Sequence, residues 1–251
     1  MFVSRRLSLV LSQANKRQKF PRMFFMTQSA SNDELIDALK RQKVVKHEDV
    51  ERAMRSVDRG FYCPSNAYFD APESIGYGAT ISAPHMHAYA LELLRDQLKP
   101  GAKVLDVGSG SGYLTMCFAK MVGPNGKVVG IDHIPALVNS SIENVRRDCP
   151  EYLENGLIKL VAGDGRKGFL EEAPYDAIHV GAAAEEGVPP ELINQLVNRG
   201  RMVIPVARTR NRQDLQVIDK NEEGKIDKQK GVGVQFVPLC DKDSQLGIRY
   251  D

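Results

Sequence analysis

The segment Val104-Leu105-Asp106-Val107-Gly108-Ser109-Gly110-Ser111-Gly112-Tyr113-Leu114 limits the possible folds more than any other stretch of the chain. A short apolar run passes through three alternating glycines into the start of an amphipathic stretch. Such a run reads as a strand buried on both faces. Glycines in the turn permit left-handed backbone and leave no Cβ in the way of a ligand. A strand that feeds directly into a helix is the first half of a β-α-β unit, and that unit builds a parallel sheet.

The pattern continues downstream. Apolar runs at 104–107, 128–131, 157–161, 177–180 and 202–206 read as strands, and amphipathic stretches at 114–122, 137–147 and 191–197 read as helices. This alternation predicts an α/β fold, a doubly wound and mostly parallel sheet covered on both faces. Two last runs, 215–218 and 232–239, have only the turn Asn221-Glu222-Glu223-Gly224 between them, so they are expected as antiparallel strands closing one edge. Upstream, Ser31-Asn32-Asp33-Glu34 fits a capping box, with Leu35, Ile36 and Leu39 on one helical face. A second helix is expected over 47–57 and a third after Pro84, while 60–83 reads as extended or irregular. No internal repeat and no long Pro/Gly linker divides residues 31–251, which are expected to form one domain.

Charge separates the N-terminus from that domain. The formal net charge is +2, from 34 basic and 32 acidic residues. Six basic residues (Arg5, Arg6, Lys16, Arg17, Lys19, Arg22) and no acidic one precede Asp33, so 33–251 holds 28 basic against 32 acidic, a net of −4. Residues 1–30 therefore form a basic leader, read either as an organellar transit peptide or as a disordered tail that a start at Met23 or Met26 would mostly remove. The expected location is the cytoplasm, or the mitochondrion if the leader acts as a transit peptide. The body shows no basic, aromatic-interleaved face for nucleic acid, and no apolar run approaches the roughly 18 residues that span a bilayer. Cys63, Cys117, Cys149 and Cys240 are too sparse for a disulfide scaffold and wrongly spaced for zinc.

The turn at Gly108, Gly110 and Gly112 lies where a doubly wound sheet opens a crevice beyond its strand ends. Asp132 closes the next strand, where a carboxylate can accept from both hydroxyls of a ribose. Asp164 follows the third strand in Gly163-Asp164-Gly165. Three acids at successive strand ends point to a nucleoside cofactor. The spacing is G-x-G-x-G, not the G-x-G-x-x-G of dinucleotide sites, and Asp106 stands beside the loop. A carboxylate there repels a pyrophosphate and suits the ammonium and sulfonium of S-adenosylmethionine.

Thr80-Ile81-Ser82-Ala83-Pro84-His85-Met86-His87-Ala88-Tyr89-Ala90-Leu91 resembles the signature segment of the protein-L-isoaspartate (D-aspartate) O-methyltransferases. So do 105–112, Gly163-Asp164-Gly165-Arg166, the fourth-strand stretch 173–182 and Val237-Pro238-Leu239. The likeness runs in the same order from about Asn32 to Gln245. It implies a Rossmann-like, S-adenosylmethionine-dependent methyltransferase that esterifies the α-carboxylate of L-isoaspartyl or the β-carboxylate of D-aspartyl residues in damaged proteins. The ester collapses to a succinimide, whose hydrolysis partly restores aspartate. By that resemblance Ser82 is the active-site residue. The cofactor residues are Ala79, Thr80, Ile81, Ser82, His87, Asp106, Gly108, Gly110, Gly112, Asp132, Asp164, Gly165 and Cys240. Val237, Pro238 and Leu239 would lie beside the substrate peptide. No metal is expected, and the partners are isoaspartyl- or D-aspartyl-containing proteins met by a monomer.

Two departures from the family stand out. Cys240 occupies a place where relatives usually carry Thr, and Arg208-Thr209-Arg210-Asn211-Arg212 is basic where relatives tend to be glycine-rich. The latter reads as a solvated hairpin loop or, if near the site mouth, as a bias toward acidic peptides. His85 and His87 diverge on a helix, and His179 reads as a hydrogen-bonded core residue. The rival readings are a non-catalytic cofactor-binding module that recognises isoaspartyl proteins, and an NAD-linked oxidoreductase.

Overall fold

The computed structural model describes residues 29–209 and 212–247. The leader read at 1–30 lies outside these residues except for its last two.

Helix α1 (Asn32–Arg41) begins at the expected cap. Ser31 Oγ accepts the Glu34 N–H at 3.3 Å, and the Glu34 carboxylate accepts the Ala30 N–H at 2.9 Å, so the box closes one residue upstream of its usual form. Leu35, Ile36 and Leu39 are buried, as are Val50 and Met54 of α2 (Glu48–Arg55). In the stretch 60–83 the chain forms a small hairpin, β1 (Glu73–Gly76) and β2 (Ala79–Ile81). Strands of three and four residues are too short to show an alternation in the sequence. Helix α3 (Pro84–Leu94) follows, with proline at its first position, where a missing N–H costs nothing.

The domain is built on β3 (Lys103–Val107), α4 (Tyr113–Val122), β4 (Lys127–Asp132), α5 (Pro135–Asp148), α6 (Glu151–Glu154), β5 (Ile158–Ala162), β6 (Tyr175–Val180), α7 (Pro190–Asn194), β7 (Leu196–Thr209), β8 (Arg212–Lys220), β9 (Ile226–Val234) and α8 (Lys242–Leu246). The sheet order is β5-β4-β3-β6-β7-β8-β9. Pairing is parallel from β5 through β7, and antiparallel from β7 to β8 and β8 to β9. This is the doubly wound sheet with an antiparallel edge that the alternation predicts. Successive residues of one strand enter different cores. Val104, Val128, Ala177 and Val203 pack with the apolar faces of α1 to α4, whereas Leu105, Val129, Ile178 and Met202 pack with Leu192 of α7.

Two expected elements are corrected. The helix over 191–197 stops at Asn194, because Leu196 already pairs with Tyr175 as the first residue of β7 and is buried there. The strand over 232–239 divides. β9 ends at Val234 opposite Gln213, near the start of β8, and the chain beyond has no strand left to pair with. It crosses to the end of β6, where the Ala183 N–H donates to the Val237 carbonyl and the Leu239 N–H to the Ala183 carbonyl, both at 2.8 Å. Among the described residues, no helix is long and apolar enough to cross a membrane, and no group of three His, Cys, Asp or Glu could hold a metal.

Candidate active site

The sheet reverses its winding at β3, with β4 on one side and β6 on the other, and a crevice opens beyond their carboxyl ends. Gly108 (φ +74°) turns the backbone away from β3 in a conformation that favours glycine. On the far wall, a Cβ at Gly165 would lie 2.5 Å from Val107 Cγ1, so the chain can pass that close only without a side chain.

Asp132 lies at the end of β4 with both oxygens engaged by backbone. Oδ2 accepts the Gly110 N–H at 3.1 Å and Oδ1 the Ile134 N–H at 3.0 Å. The residue therefore ties the glycine turn to the start of α5 while lining the crevice. Burial pushes its carboxyl above the ordinary value, and the two N–H donors only partly reverse this. Asp164 also lines the crevice, but it is held by Arg166 through Nε and Nη2, both at 2.9 Å. That guanidinium keeps its carboxyl below the ordinary range.

Asp106 is placed differently. It is 1% exposed and does not line the crevice. Oδ1 pairs with His179 Nδ1 at 2.8 Å, and Oδ2 accepts the Thr115 hydroxyl at 2.6 Å. Its carboxylate underpins the turn from within the sheet. His179, expected as a hydrogen-bonded core residue, fills that role here.

Ala79, Thr80, Gly108, Gly110, Asp132, Asp164, Gly165, Val237, Pro238, Leu239 and Cys240 converge on one crevice. Ile81 is buried in the core, and Gly112 caps α4 with its Cα against Ser141. His87 is buried on Tyr113, with ring centroids 4.9 Å apart and Nδ1 3.2 Å from Arg59. Burial and the Arg59 charge hold His87 well below its usual pKa, so it is neutral. Ser82 lies in an adjoining cleft with Ala83, His85, Met86, Arg212 and Gln213. Thr80, Gly181 and Val237 line both cavities, which adjoin there.

Two further side chains of the crevice, His133 and Gln245, are not among the residues expected from the sequence. Gln245 Oε1 accepts from His133 Nε2 at 2.7 Å, and Gln245 Nε2 donates to the Tyr77 carbonyl at 2.9 Å. This one amide ties α8 to the turn after β4 and to the β1–β2 hairpin. His133 adjoins Asp132 and was within reach of the strand-end argument. Gln245 lies 112 residues further on, beyond any local pattern.

Among the described residues, no Lys or Arg lines the crevice, whereas Asp132 and Asp164 do. A pyrophosphate would find no counterion among these side chains. A ligand with ribose hydroxyls, an ammonium and a sulfonium fits the acids and the glycine turn.

The comparisons with known proteins agree. The model of the family described as protein-L-isoaspartate(D-aspartate) O-methyltransferase matches residues 30–244. The chain is 52% identical to protein-L-isoaspartate O-methyltransferase 2 of Arabidopsis thaliana over 224 residues, 88% of this chain and 72% of that protein. It is 51% identical to the Caenorhabditis elegans protein-L-isoaspartate O-methyltransferase over 223 residues, 89% of this chain and 98% of the other. A Plasmodium falciparum crystal structure described as a protein-L-isoaspartate O-methyltransferase in complex with S-adenosyl-L-homocysteine superposes with a TM-score of 0.79. Identity there is 39%, over 84% of this chain and 99% of that one. With this fold, this crevice and these relatives, the chain belongs to the protein-L-isoaspartate(D-aspartate) O-methyltransferase family.

Proposed function

We propose that the protein transfers a methyl group from S-adenosylmethionine to the free α-carboxylate of L-isoaspartyl residues, and to the β-carboxylate of D-aspartyl residues, in damaged proteins. One observation carries the reading. A crevice lined by Asp132 and Asp164, with no Lys or Arg among its described lining residues, adjoins the cleft that holds Ser82 at Thr80, Gly181 and Val237. A cofactor in the first and a peptide in the second would meet at those shared residues.

Bound S-adenosylmethionine supplies an electrophilic methyl carbon with a neutral thioether as leaving group. The chain's part is to orient and to exclude water. Asp132 accepts from ribose hydroxyls, and the Gly108–Gly110 backbone lies against the ligand. The acceptor carboxylate, with a pKa of about 4, is ionised at neutral pH and requires no general base. Ser82 donates its hydroxyl to that carboxylate. Among the described residues the hydroxyl has no protein partner, so it is available for this contact. In-line placement of the reactants can supply roughly 7–11 kcal/mol of rate acceleration. On the substrate side, Val237 and Leu239 already use one backbone group each on Ala183, and Pro238 has no N–H. Contact with the peptide there falls to side chains, to the Val237 N–H and to the carbonyls of Pro238 and Leu239.

The crevice and cleft residues all come from one chain, which supports a monomer, and a body of net charge −4 without a basic, aromatic-interleaved face supports protein substrates over nucleic acid. The four free cysteines support a reducing compartment, the cytoplasm, or the mitochondrion if the leader acts as a transit peptide. To test the reaction, methyl-labelled cofactor is incubated with an isoaspartyl peptide and its aspartyl twin. Base-labile label on the isoaspartyl peptide alone is expected. Label on both peptides refutes the specificity, and no label despite cofactor binding leaves a recognition module.

A further inference from the structure

Arg59 is the largest wholly buried side chain, with no exposed surface. It sits in a short turn between α2 and β1. Its Nη2 donates to the Ser82 carbonyl at 2.9 Å, and its Nη1 lies 3.2 Å from His87 Nδ1. The guanidinium stands 5.4 Å from the centre of the Tyr113 ring, and Nε has no partner among the described residues. None of these contacts is a carboxylate. A guanidinium does not lose its proton, so this is a buried cation held by neutral acceptors, an arrangement that costs stability. An apolar side chain of similar volume would fill the space without that cost.

What the charge does is visible at the turn into α3. Ala83, the cap residue, offers no side-chain acceptor, and Pro84 has no N–H. The turn is gripped from outside at both ends. Arg59 holds the carbonyl of Ser82, and the buried carboxylate of Asp70 accepts the His85 N–H at 2.9 Å. Asp70 Oδ1 also lies 2.8 Å from His85 Nδ1. Ser82 thus forms the first residue of a turn, 82–85, whose two ends are held by ionic side chains, and its own carbonyl, next to the last hairpin residue Ile81, is held by Arg59.

We infer that Arg59 is a positioning residue for methyl transfer: by holding the Ser82 carbonyl, it fixes where the Ser82 hydroxyl meets the acceptor carboxylate. The inference rests on the orienting role of Ser82 proposed above. Misplacement of an orienting group by a fraction of an ångström is enough to slow a reaction that depends on alignment.

A double-mutant cycle separates positioning from plain structural support. Arg59→Lys keeps the charge and loses the two-nitrogen fork. It is expected to lower kcat/KM for an isoaspartyl peptide about tenfold in the otherwise unchanged chain, and less than about twofold in a Ser82→Ala background. The dissociation constant of S-adenosylhomocysteine should stay within about twofold in both. An equal loss in the two backgrounds, or a loss shared by S-adenosylhomocysteine binding, overturns the inference. Unchanged turnover in Ser82→Ala alone refutes the role of Ser82 and the inference with it, while a wild-type chain inactive on isoaspartyl peptide refutes the proposed reaction instead. If Arg59→Lys does not fold, Arg59→Gln, which keeps an amide donor without a buried charge, takes its place in the cycle. Failure of both to bind S-adenosylhomocysteine makes Arg59 a folding residue and ends the proposal.

Discussion

The cofactor crevice and the substrate cleft share a wall but are built in opposite ways. The crevice is made of strand ends close together in the chain, with Gly110 only 22 positions before the Asp132 whose carboxylate accepts its N–H. Each turn there is fixed by backbone groups, glycines and short acidic side chains. The cleft is gathered from the α3 entry near residue 82, held by Arg59 and Asp70, and from the segment 232–237, held at Phe236 by one amide. Gln213 alone satisfies Phe236, donating Nε2 to its carbonyl at 3.0 Å and accepting its N–H at 2.6 Å. Gln245 does the same service over the crevice mouth. The cofactor side is thus preorganised by the sheet, and the peptide side joins the anchored Ser82 turn to an adjustable rim that rests on a few polar contacts.

Asp106, buried beneath the glycine turn, and Asp132, lining the crevice, divide the labour, and substitutions should separate them. The largest effect is expected from Asp106→Ala. It strands His179 and the Thr115 hydroxyl in the core and should cost about 3 kcal/mol of folding stability or more. Urea unfolding measures this. A variant of full stability that no longer binds cofactor would make Asp106 a direct ligand and break the division.

Asp132→Ala is expected to be milder for the fold and harsher for the ligand, weakening S-adenosylhomocysteine by about 1–3 kcal/mol in a titration. An unchanged dissociation constant removes Asp132 from the site. The pH dependence sharpens the point. Because burial raises its folded pKa, Asp132 favours the fold below its unfolded value near 3.8, and that contribution is lost as pH rises through the raised one. Ribose donors favour the ionised form, so affinity should fall as pH drops through the raised pKa. Asp132→Asn should flatten that profile.

The same contrast explains what the sequence made legible. Gly108, Gly110, Asp132 and Asp164 were readable because a strand, a turn and a helix follow one another within a few residues, and the chemistry sits at their junctions. Asp106 was readable as part of that pattern, but its direction was not, since His179 on the neighbouring strand and Thr115 on α4 decide which way the carboxylate turns. Ser82 and Val237–Leu239 were visible only through family resemblance. The strap over 236–239 read as a continuation of β9, because nothing local marks where β8 ceases to offer a partner. Arg59 gave no signal at all, as a lone arginine in a turn looks like any solvated one.

The smallest expected effect concerns the rim of the cleft. In the basic run 208–212, Arg208 pairs with the buried Asp214, and Lys230 reaches the same carboxylate at 3.4 Å. Arg212 is exposed, lines the Ser82 cleft and has no ion-pair partner among the described residues. Among the described residues no carboxylate and no other Lys or Arg lines that cleft, so a peptide with acidic neighbours beside its isoaspartyl residue meets the uncompensated Arg212 cation. An exposed charge acts weakly and through solvent. Arg212→Gln should therefore reduce the preference for acidic-flanked over basic-flanked isoaspartyl peptides by only about two- to threefold at low salt, with no change in cofactor affinity. Added salt should erase the same difference in the unchanged protein, because a rim charge is screened within about 10 Å at 0.1 M ionic strength. Equal turnover of both peptides at low salt before any substitution would show that the loop is merely solvated, and that the adjustable side of the molecule selects its substrates by shape and not by charge.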